Sequence, residues 1–302
     1  MRLAMTFTRL RTEERLLLDA FESLGVRVEP IDLRRVVFDP SSLGEWSRYD
    51  AVIDRSVSLT GGLTAVRILE GLGVRCINTA EAIETCADKL RTTIALLRAG
   101  VPTPGVRVAI GPESGLEAIE SIGYPGVLKP TVGSWGRLVA RVNDRDAAEA
   151  LLEHRDTLGS AQQSVVYAQE HIDKPGRDLR VFVVGGEAIA AIVRTSAHWV
   201  TNTARGATAA GLELTDELRE LCIRAVAATG ADVAAVDVLE CPIRGPLVNE
   251  INHSMEFRNS ITTTGVDIPA LVARHSVRIA EASADRAACA HGSTRSDAEV
   301  IA

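Results

Sequence analysis

The run LVNEIN, residues 247–252, sets Glu250 and Asn252 two positions apart in a segment whose Leu247, Val248 and Ile251 read as strand. Period-two geometry places residues so spaced on one face. Upstream, VAAVDVLE reads as a partner strand and CPIRGP as the turn, and a hairpin centred between Ile243 and Arg244 sets Asp237 directly opposite Glu250. Cross-strand neighbours stand about 5 Å apart, and two carboxylates that close repel unless a cation lies between them. Oxygen donors without histidine or cysteine suit Mg²⁺, with Mn²⁺ as the alternative. Mg²⁺ typically takes one or two carboxylates and completes its shell with substrate phosphates. Asp237, Glu250 and Asn252 are therefore a candidate metal site, and a solvated outer hairpin face is the plainer alternative.

Other residue types point towards phosphate. Of the 33 basic residues only Lys89, Lys129 and Lys174 are lysines, the bias of an arginine-rich composition. Lysines that persist under it are candidates for tasks that need a compact ammonium. Lys129 directly precedes the glycine loop TVGSWGR, residues 131–137, which joins strand to strand and lacks the G-K-[ST] of a P-loop. Such a loop can cap phosphates with backbone N–H groups, although a glycine-rich turn is the commoner explanation. In QEHIDKPGRDLRVFVV, the connection at Glu170 to Ile172 offers backbone groups for a base, Asp178 offers a carboxylate for ribose hydroxyls, and Arg180 alternates with it. Arg194 and the loop HWVTNTARGA, with Asn202 and Arg205, add cations and amides. His198 and His253 lack metal or triad spacing and read as structural, and no nucleophile elbow is present.

Bulk properties exclude several classes. A formal charge of −7 with no basic block argues against nucleic-acid binding. Five widely spaced cysteines give neither a zinc site nor a disulfide framework. No apolar run approaches membrane-spanning length and no basic N-terminal leader is seen, so a cytoplasmic protein without membrane contact is expected.

The elements that must position these residues follow from periodicity. EERLLLDAFESL, VRVEPIDL, AVIDRSV, LTAVRILEGLG and VRCIN alternate helix and strand, which predicts a small parallel α/β lobe over the first 80 or so residues. The pattern from Thr79 to Arg98 is helical. A strand, helix, strand, glycine loop, strand series follows, then the helix DRDAAEALLEHRDTL and the strand QSVVYAQEHI. DLRVFVVGGEAIAAIVRTS predicts a hairpin with Gly185 and Gly186 at its turn. TDELRELCIRAVAATG and DIPALVARHSVRIAEAS read as helices, and the small-residue tail from 284 as disordered.

Taken in order, CADK, VLKP, GSWGR, QEHIDKPGRDLRVFVV, NTARG, VDV and NEINHSMEF resemble the ATP-grasp superfamily. GSWGRL, KPGRD, SAHWVTNTARG, NEINHSMEF and TTGVDIP are similar to its RimK-like branch, in particular to the LysX-type ligases that load amino acids onto a carrier protein. The resemblance covers about residues 1–280. It implies a mixed α/β and α+β ATP-grasp fold. A Rossmann-like pre-ATP-grasp domain at 1–82 precedes a central lobe at 83–168 with the glycine loop, a C-terminal lobe at 169–283 with the metal hairpin, and the tail at 284–302. The two lobes would grip ATP.

By position, the resemblance assigns Lys89 and Lys129 to the phosphates, with Gly133, Ser134, Trp135, Gly136 and Arg137 covering them. Gln169, Glu170, His171 and Ile172 would bind adenine, Asp178 the ribose, and Asn202 the nucleotide. Asp237, Glu250 and Asn252 match a two-magnesium triad. Arg194 and Lys129 would be catalytic. Arg194, Thr203, Ala204, Arg205, Glu256, Phe257, Arg258, Asn259 and Ser260 would meet the amino acid. The implied reaction phosphorylates the side-chain carboxylate of a C-terminal glutamate on a LysW-like acidic amino-group carrier protein, and an amino acid's α-amine attacks the acylphosphate. The pair Asn259–Ser260 favours 2-aminoadipate, whereas glutamate-specific relatives carry Gly-Phe there. Glutamate as substrate, RimK-like glutamate addition to a protein tail, and a non-catalytic nucleotide sensor are the alternatives. A homo-oligomer, dimer or tetramer, is expected.

Overall fold

The computed structural model describes residues 1–133, 136–160, 164–201 and 206–296, and contains helices and three sheets. β1 (Leu3–Phe7), α1 (Thr12–Ser23), β2 (Val28–Asp32), β3 (Ala51–Asp54), α2 (Leu59–Gly71) and β4 (Cys76–Ile77) form the predicted parallel lobe, in strand order β2-β1-β3-β4. β1 is apolar except at Thr6, whose hydroxyl donates to Asp54 Oδ1 at 2.8 Å, and is buried at every position, as a strand covered on both faces requires.

The helical pattern after Thr79 is not one helix. α3 (Ala80–Ala87) stops at Asp88, whose carboxylate accepts from the N–H groups of Leu90 and Arg91 and starts α4 (Lys89–Arg98). Aspartate at a helix start satisfies N–H groups that have no intrahelical partner. The break places Lys89 in the first turn of α4, with its own N–H on Thr131 O at 2.8 Å, beside the glycine loop.

The second sheet is antiparallel. It contains β5 (Val106–Ile110), β6 (Gly126–Lys129), β7 (Ala140–Val142) and β8 (Val165–Glu170) in order β5-β8-β6-β7, backed by α5 (Pro112–Ile122) and α6 (Arg145–Leu158). It has a core of its own, built on Ile119, Leu128, Leu152 and Val166.

The third sheet runs β11-β10-β9-β12-β13, with β9 (Arg177–Val184), β10 (Glu187–Thr195), β11 (Thr208–Leu212), β12 (Val233–Cys241) and β13 (Gly245–Asn252), and α7 (Asp216–Thr229) packed on one face. Gly185 and Gly186 turn β9 into β10 with φ +58° and +81°, the left-handed pair that a two-residue hairpin turn needs. The opposite face shares one core with the N-terminal lobe, where Phe182 and Ile192 meet Leu3, Met5, Ile53 and Val272. Each large apolar side chain so buried contributes about 1.5–3 kcal/mol.

α8 (Arg258–Thr264) is a short helix in a stretch where periodicity predicts no element. α9 (Ile268–Ser296) runs past Ser283, so the segment expected without structure from 284 is helical to Ser296. Its alanine-rich composition has high helix propensity.

Candidate active site

The chemistry-bearing face belongs to β10, β9, β12 and β13. Arg194 stands opposite Asp178, Arg180 opposite Asp237, and Asp237 opposite Glu250. The last pair is the expected one, but the hairpin reaches it differently. From Cys241↔Gly245 to Val238↔Val248 the strands pair about a turn centred on Ile243, and a one-residue bulge at Asn249 then restores Asp237↔Glu250. A bulge of this kind opposes two residues to one, so Asn249 is added beside the carboxylate pair.

Asp237 is 7% exposed and its carboxylate is gripped at both oxygens. Arg180 Nε and Nη2 donate to it at 2.7 and 2.9 Å, and Arg194 Nη2 lies 3.2 Å away. Burial alone would push Asp237 up, but the charges of Arg180 and Arg194 override it and hold the carboxyl at about 2. Arg194 is itself buried and also donates from Nε to Asp178 at 2.6 Å. Desolvation opposes its charge, yet Asp237 and Asp178 keep it above the ordinary arginine value. Asp178 takes a further bond from the Thr201 hydroxyl, and Lys174 Nζ stands 3.6 Å from it. The row thus alternates sign from Lys174 through Asp178, Arg194 and Asp237 to Arg180.

Across the cleft, Lys129 at the end of β6 is 5% exposed and donates to Asn249 Oδ1 at 3.2 Å, where Gln169 Nε2 also donates at 3.1 Å. Burial draws the Lys129 ammonium down to about 8, with the charge of Glu250 partly opposing this. Lys89 Nζ donates to Gly133 O at 2.7 Å and lies 3.8 Å from Glu250. These groups line a cavity of about 230 Å³ between the second and third sheets, with His171, Ile172, Lys174, Trp199 and Arg141 at its other end. All three lysines of the chain meet there. The rings of His171 and Trp199 are 6.1 Å apart, and the Arg141 guanidinium lies 5.9 Å from Trp199.

A larger groove of about 920 Å³ adjoins the carboxylate pair. Arg11, Glu13, Ser56 and Val57 of the N-terminal lobe form one wall, and Asn252, His253, Glu256, Arg258, Asn259 and Ser260 the other. Burial and the nearby Arg55 charge bring His253 down to about 4, so its ring is neutral at neutral pH. A lysine-lined cavity next to a larger groove, with cations on the seam, is an arrangement that suits transfer of an anionic group between two reactants.

The RimK-like ATP-grasp domain model matches residues 86–275, and the LysX preATP-grasp domain model residues 3–85. The chain belongs to the RimK-like ATP-grasp family. Glutamate–LysW ligase ArgX of Sulfurisphaera tokodaii is 33% identical over 89% of this chain and 95% of its own length. Alpha-aminoadipate–LysW ligase LysX of Sulfolobus acidocaldarius is 33% identical over 86% and 95%. The RimK domain ATP-grasp protein of Sphaerobacter thermophilus superposes with a TM-score of 0.73 at 28% identity, covering 92% of this chain and 100% of that one. The chain is thus an ATP-grasp ligase, an enzyme of C–N bond formation, and the family works with ATP and a divalent metal.

The residues present fit such a metal. Asp237, Glu250 and Asn252 carry oxygen donors on one face, with the Asp237 oxygens shared with Arg180 and Arg194 and Glu250 the more open carboxylate. No group of three or more histidine, cysteine or acidic residues with metal-holding geometry exists among the described residues. Two carboxylates and an amide leave room for phosphate oxygens to complete the shell.

Most other expected ATP-grasp residues fall on these two cavities, with exceptions. Ser134 and Trp135, and Asn202, Thr203, Ala204 and Arg205, lie outside the described residues. Gly136 and Arg137 line the smaller cavity. Glu170 and Asp178 line the smaller cavity as well, but the Glu170 N–H is already used on Gly105 O at 2.9 Å and its carboxylate is held by Gly105 N and Arg244, so this residue also fastens a lobe junction. The oxygens of Asp178 are engaged by Arg194 and Thr201. Phe257 is not on the groove; its apolar ring is 1% exposed in the shared core. Sequence reasoning left Arg180 unassigned, although its alternation with Asp178 was the signal. Trp199, Arg141 and Thr201 carried no pattern, and Asn249 was hidden because the bulge interrupts the alternation.

Proposed function

We propose that the chain joins the α-amino group of an amino acid to the side-chain carboxylate of the C-terminal glutamate of a LysW-like acidic amino-group carrier protein, with 2-aminoadipate as the favoured amino acid. A carboxylate oxygen attacks the γ-phosphorus of ATP and ADP leaves. The amine then attacks the acyl carbon, the C–N bond forms, phosphate departs and the amine gives up its proton.

Catalysis of this type rests on positioning and charge neutralisation. Lys129 and Lys89 would hold phosphate oxygens at the seam, and Arg194 with Arg180 would meet the negative charge that builds up on the transferred group and the acyl oxygen. Asp237, Glu250 and Asn252 would hold Mg²⁺, two ions on the family pattern, which when bound neutralises phosphate charge. Ile172, His171 and Trp199 would enclose the base.

The observation that carries this reading is the charged row at the junction of a cavity lined by all three lysines and a groove lined by Asn259 and Ser260 in the first turn of α8. Those two residues favour 2-aminoadipate. Glutamate remains the second reading because the glutamate–LysW relative is as similar as the aminoadipate one. ADP release should require amino acid and a LysW-type carrier together, and the ratio of rates with 2-aminoadipate and glutamate decides between the two. Glu250→Ala should abolish release with the fold intact; retained turnover would sink the metal assignment. Intact mass should show one addition, and serial additions would point instead to glutamate tailing.

A further inference from the structure

The segment between β13 and α8, residues 253–257, has no regular structure of its own, yet it must set the distance between Asn252 on the metal strand and Asn259–Ser260 on the groove. Two of its carbonyls are held by the N-terminal lobe. Arg55, directly after β3, is 4% exposed; its Nη2 donates to Met255 O at 3.0 Å and its guanidinium lies 5.8 Å from the Phe257 ring. Asn78, directly after β4, donates from Nδ2 to His253 O at 3.0 Å and to Val233 O at 2.8 Å. Its Oδ1 accepts from the N–H groups of Asp232 and Val233 at 2.6 and 2.9 Å, so the whole capacity of the amide is used.

Arg55 is oriented in turn. Its N–H is on Thr6 O, and its Nε donates at 3.3 Å to Glu14, a carboxylate with no exposure that Arg11 also binds. Arg11 reaches on to Glu256 at 3.4 Å. A buried guanidinium is costly compared with an apolar side chain of the same size, and here it grips one backbone carbonyl and one aromatic ring of the segment that feeds the groove.

We propose that Arg55 and Asn78 are positioning residues for the amino-acid site, by which the N-terminal lobe sets the register between the metal strand and α8. This rests on the reading of Arg258, Asn259 and Ser260 as that site.

The test titrates 2-aminoadipate and glutamate into full-length protein holding Mg²⁺ and AMPPNP, and AMPPNP separately, for wild type, Arg55→Lys and Asn78→Ala. Arg55→Lys keeps the charge beside Glu14 but shortens the reach to Met255 O. The expected result is at least a tenfold rise in amino-acid Kd, AMPPNP affinity within twofold of wild type, and a severalfold change in the aminoadipate to glutamate ratio. A purely structural role would weaken both ligands together and leave that ratio alone. Either that outcome or an unshifted amino-acid Kd overturns the proposal. Glu14→Gln keeps the side chain's size and removes the charge that orients Arg55, along with its pairing to Arg11; it is judged by the same split should Arg55→Lys fail to fold. Wild-type protein that binds AMPPNP but neither amino acid defeats the underlying site reading instead.

Discussion

Lys129 gives the sharpest prediction because its environment sets a pH at which nucleotide binding should change. Its ammonium falls from the ordinary 10.5 to about 8 in the free protein, a difference of about 3 kcal/mol between its two protonation states. Phosphate oxygens brought against it would restore the ordinary value. The nucleotide then selects the protonated lysine, so affinity is flat below pH 8 and weakens as pH rises between the two values. With 8 for the free and 10.5 for the bound protein, AMPPNP Kd should rise roughly 30-fold from pH 7 to pH 9.5, with uptake of about one proton per nucleotide at pH 9. Calorimetry in two buffers of different ionisation enthalpy reads both quantities. Lys129→Arg, whose charge is fixed, should bind with a flat profile whatever its absolute affinity. A flat wild-type profile, or the same slope in the variant, would refute the argument that Lys129 is a desolvated phosphate ligand.

Other perturbations have equally definite outcomes. Arg180→Gln leaves buried Asp237 with Arg194 alone and should cost about 2–4 kcal/mol in urea unfolding at neutral pH. Because Asp237 is held at about 2, below its ordinary 3.8, its contribution is present above 3.8 and lost as pH falls through about 2. The variant should therefore unfold at a higher pH on acidification, and superposable acid curves would contradict this. Trp199→Ala should weaken AMPPNP about tenfold, as loss of an aromatic wall implies, with 2-aminoadipate affinity unchanged; unaltered nucleotide binding would remove Trp199 from the site. Gly185→Ala must tolerate φ +58° and bring a Cβ within 2.5 Å of His275 Nδ1, so it should lower stability by about 1–3 kcal/mol. A wild-type melting temperature would show that the turn relaxes freely.

What could be read from the sequence depended on whether local pattern and tertiary demand agreed. The parallel lobe and the Gly185–Gly186 hairpin were legible because alternation and glycine placement pointed the same way, whereas Asp237 faces Glu250 as expected only because the bulge at Asn249 offsets a turn centred on Ile243. Three features were not. Helical periodicity runs through Asp88, and the break there is fixed by the Asp88 cap together with the contact of Lys89 N–H with the glycine loop. α8 is too short for its periodicity to register. The bulge at Asn249 is specified by contacts with Lys129 and Gln169 more than a hundred and about eighty residues away in sequence, and no pattern within one strand encodes it. The family resemblance assigned Lys89 and Lys129 to phosphate, but not the way Arg180 and Arg194 divide the Asp237 carboxylate.

The bulge also bears on turnover time. Asn249 belongs to the body formed by the N-terminal lobe and the third sheet, whereas Lys129 and Gln169 belong to the second sheet, whose core is separate. Any opening that carries the second sheet away must break both hydrogen bonds to one amide, at about 1 kcal/mol apiece. A latch of that strength would hold the cleft shut at rest and still yield to thermal motion, so one inserted residue would help to govern how long a bound nucleotide stays.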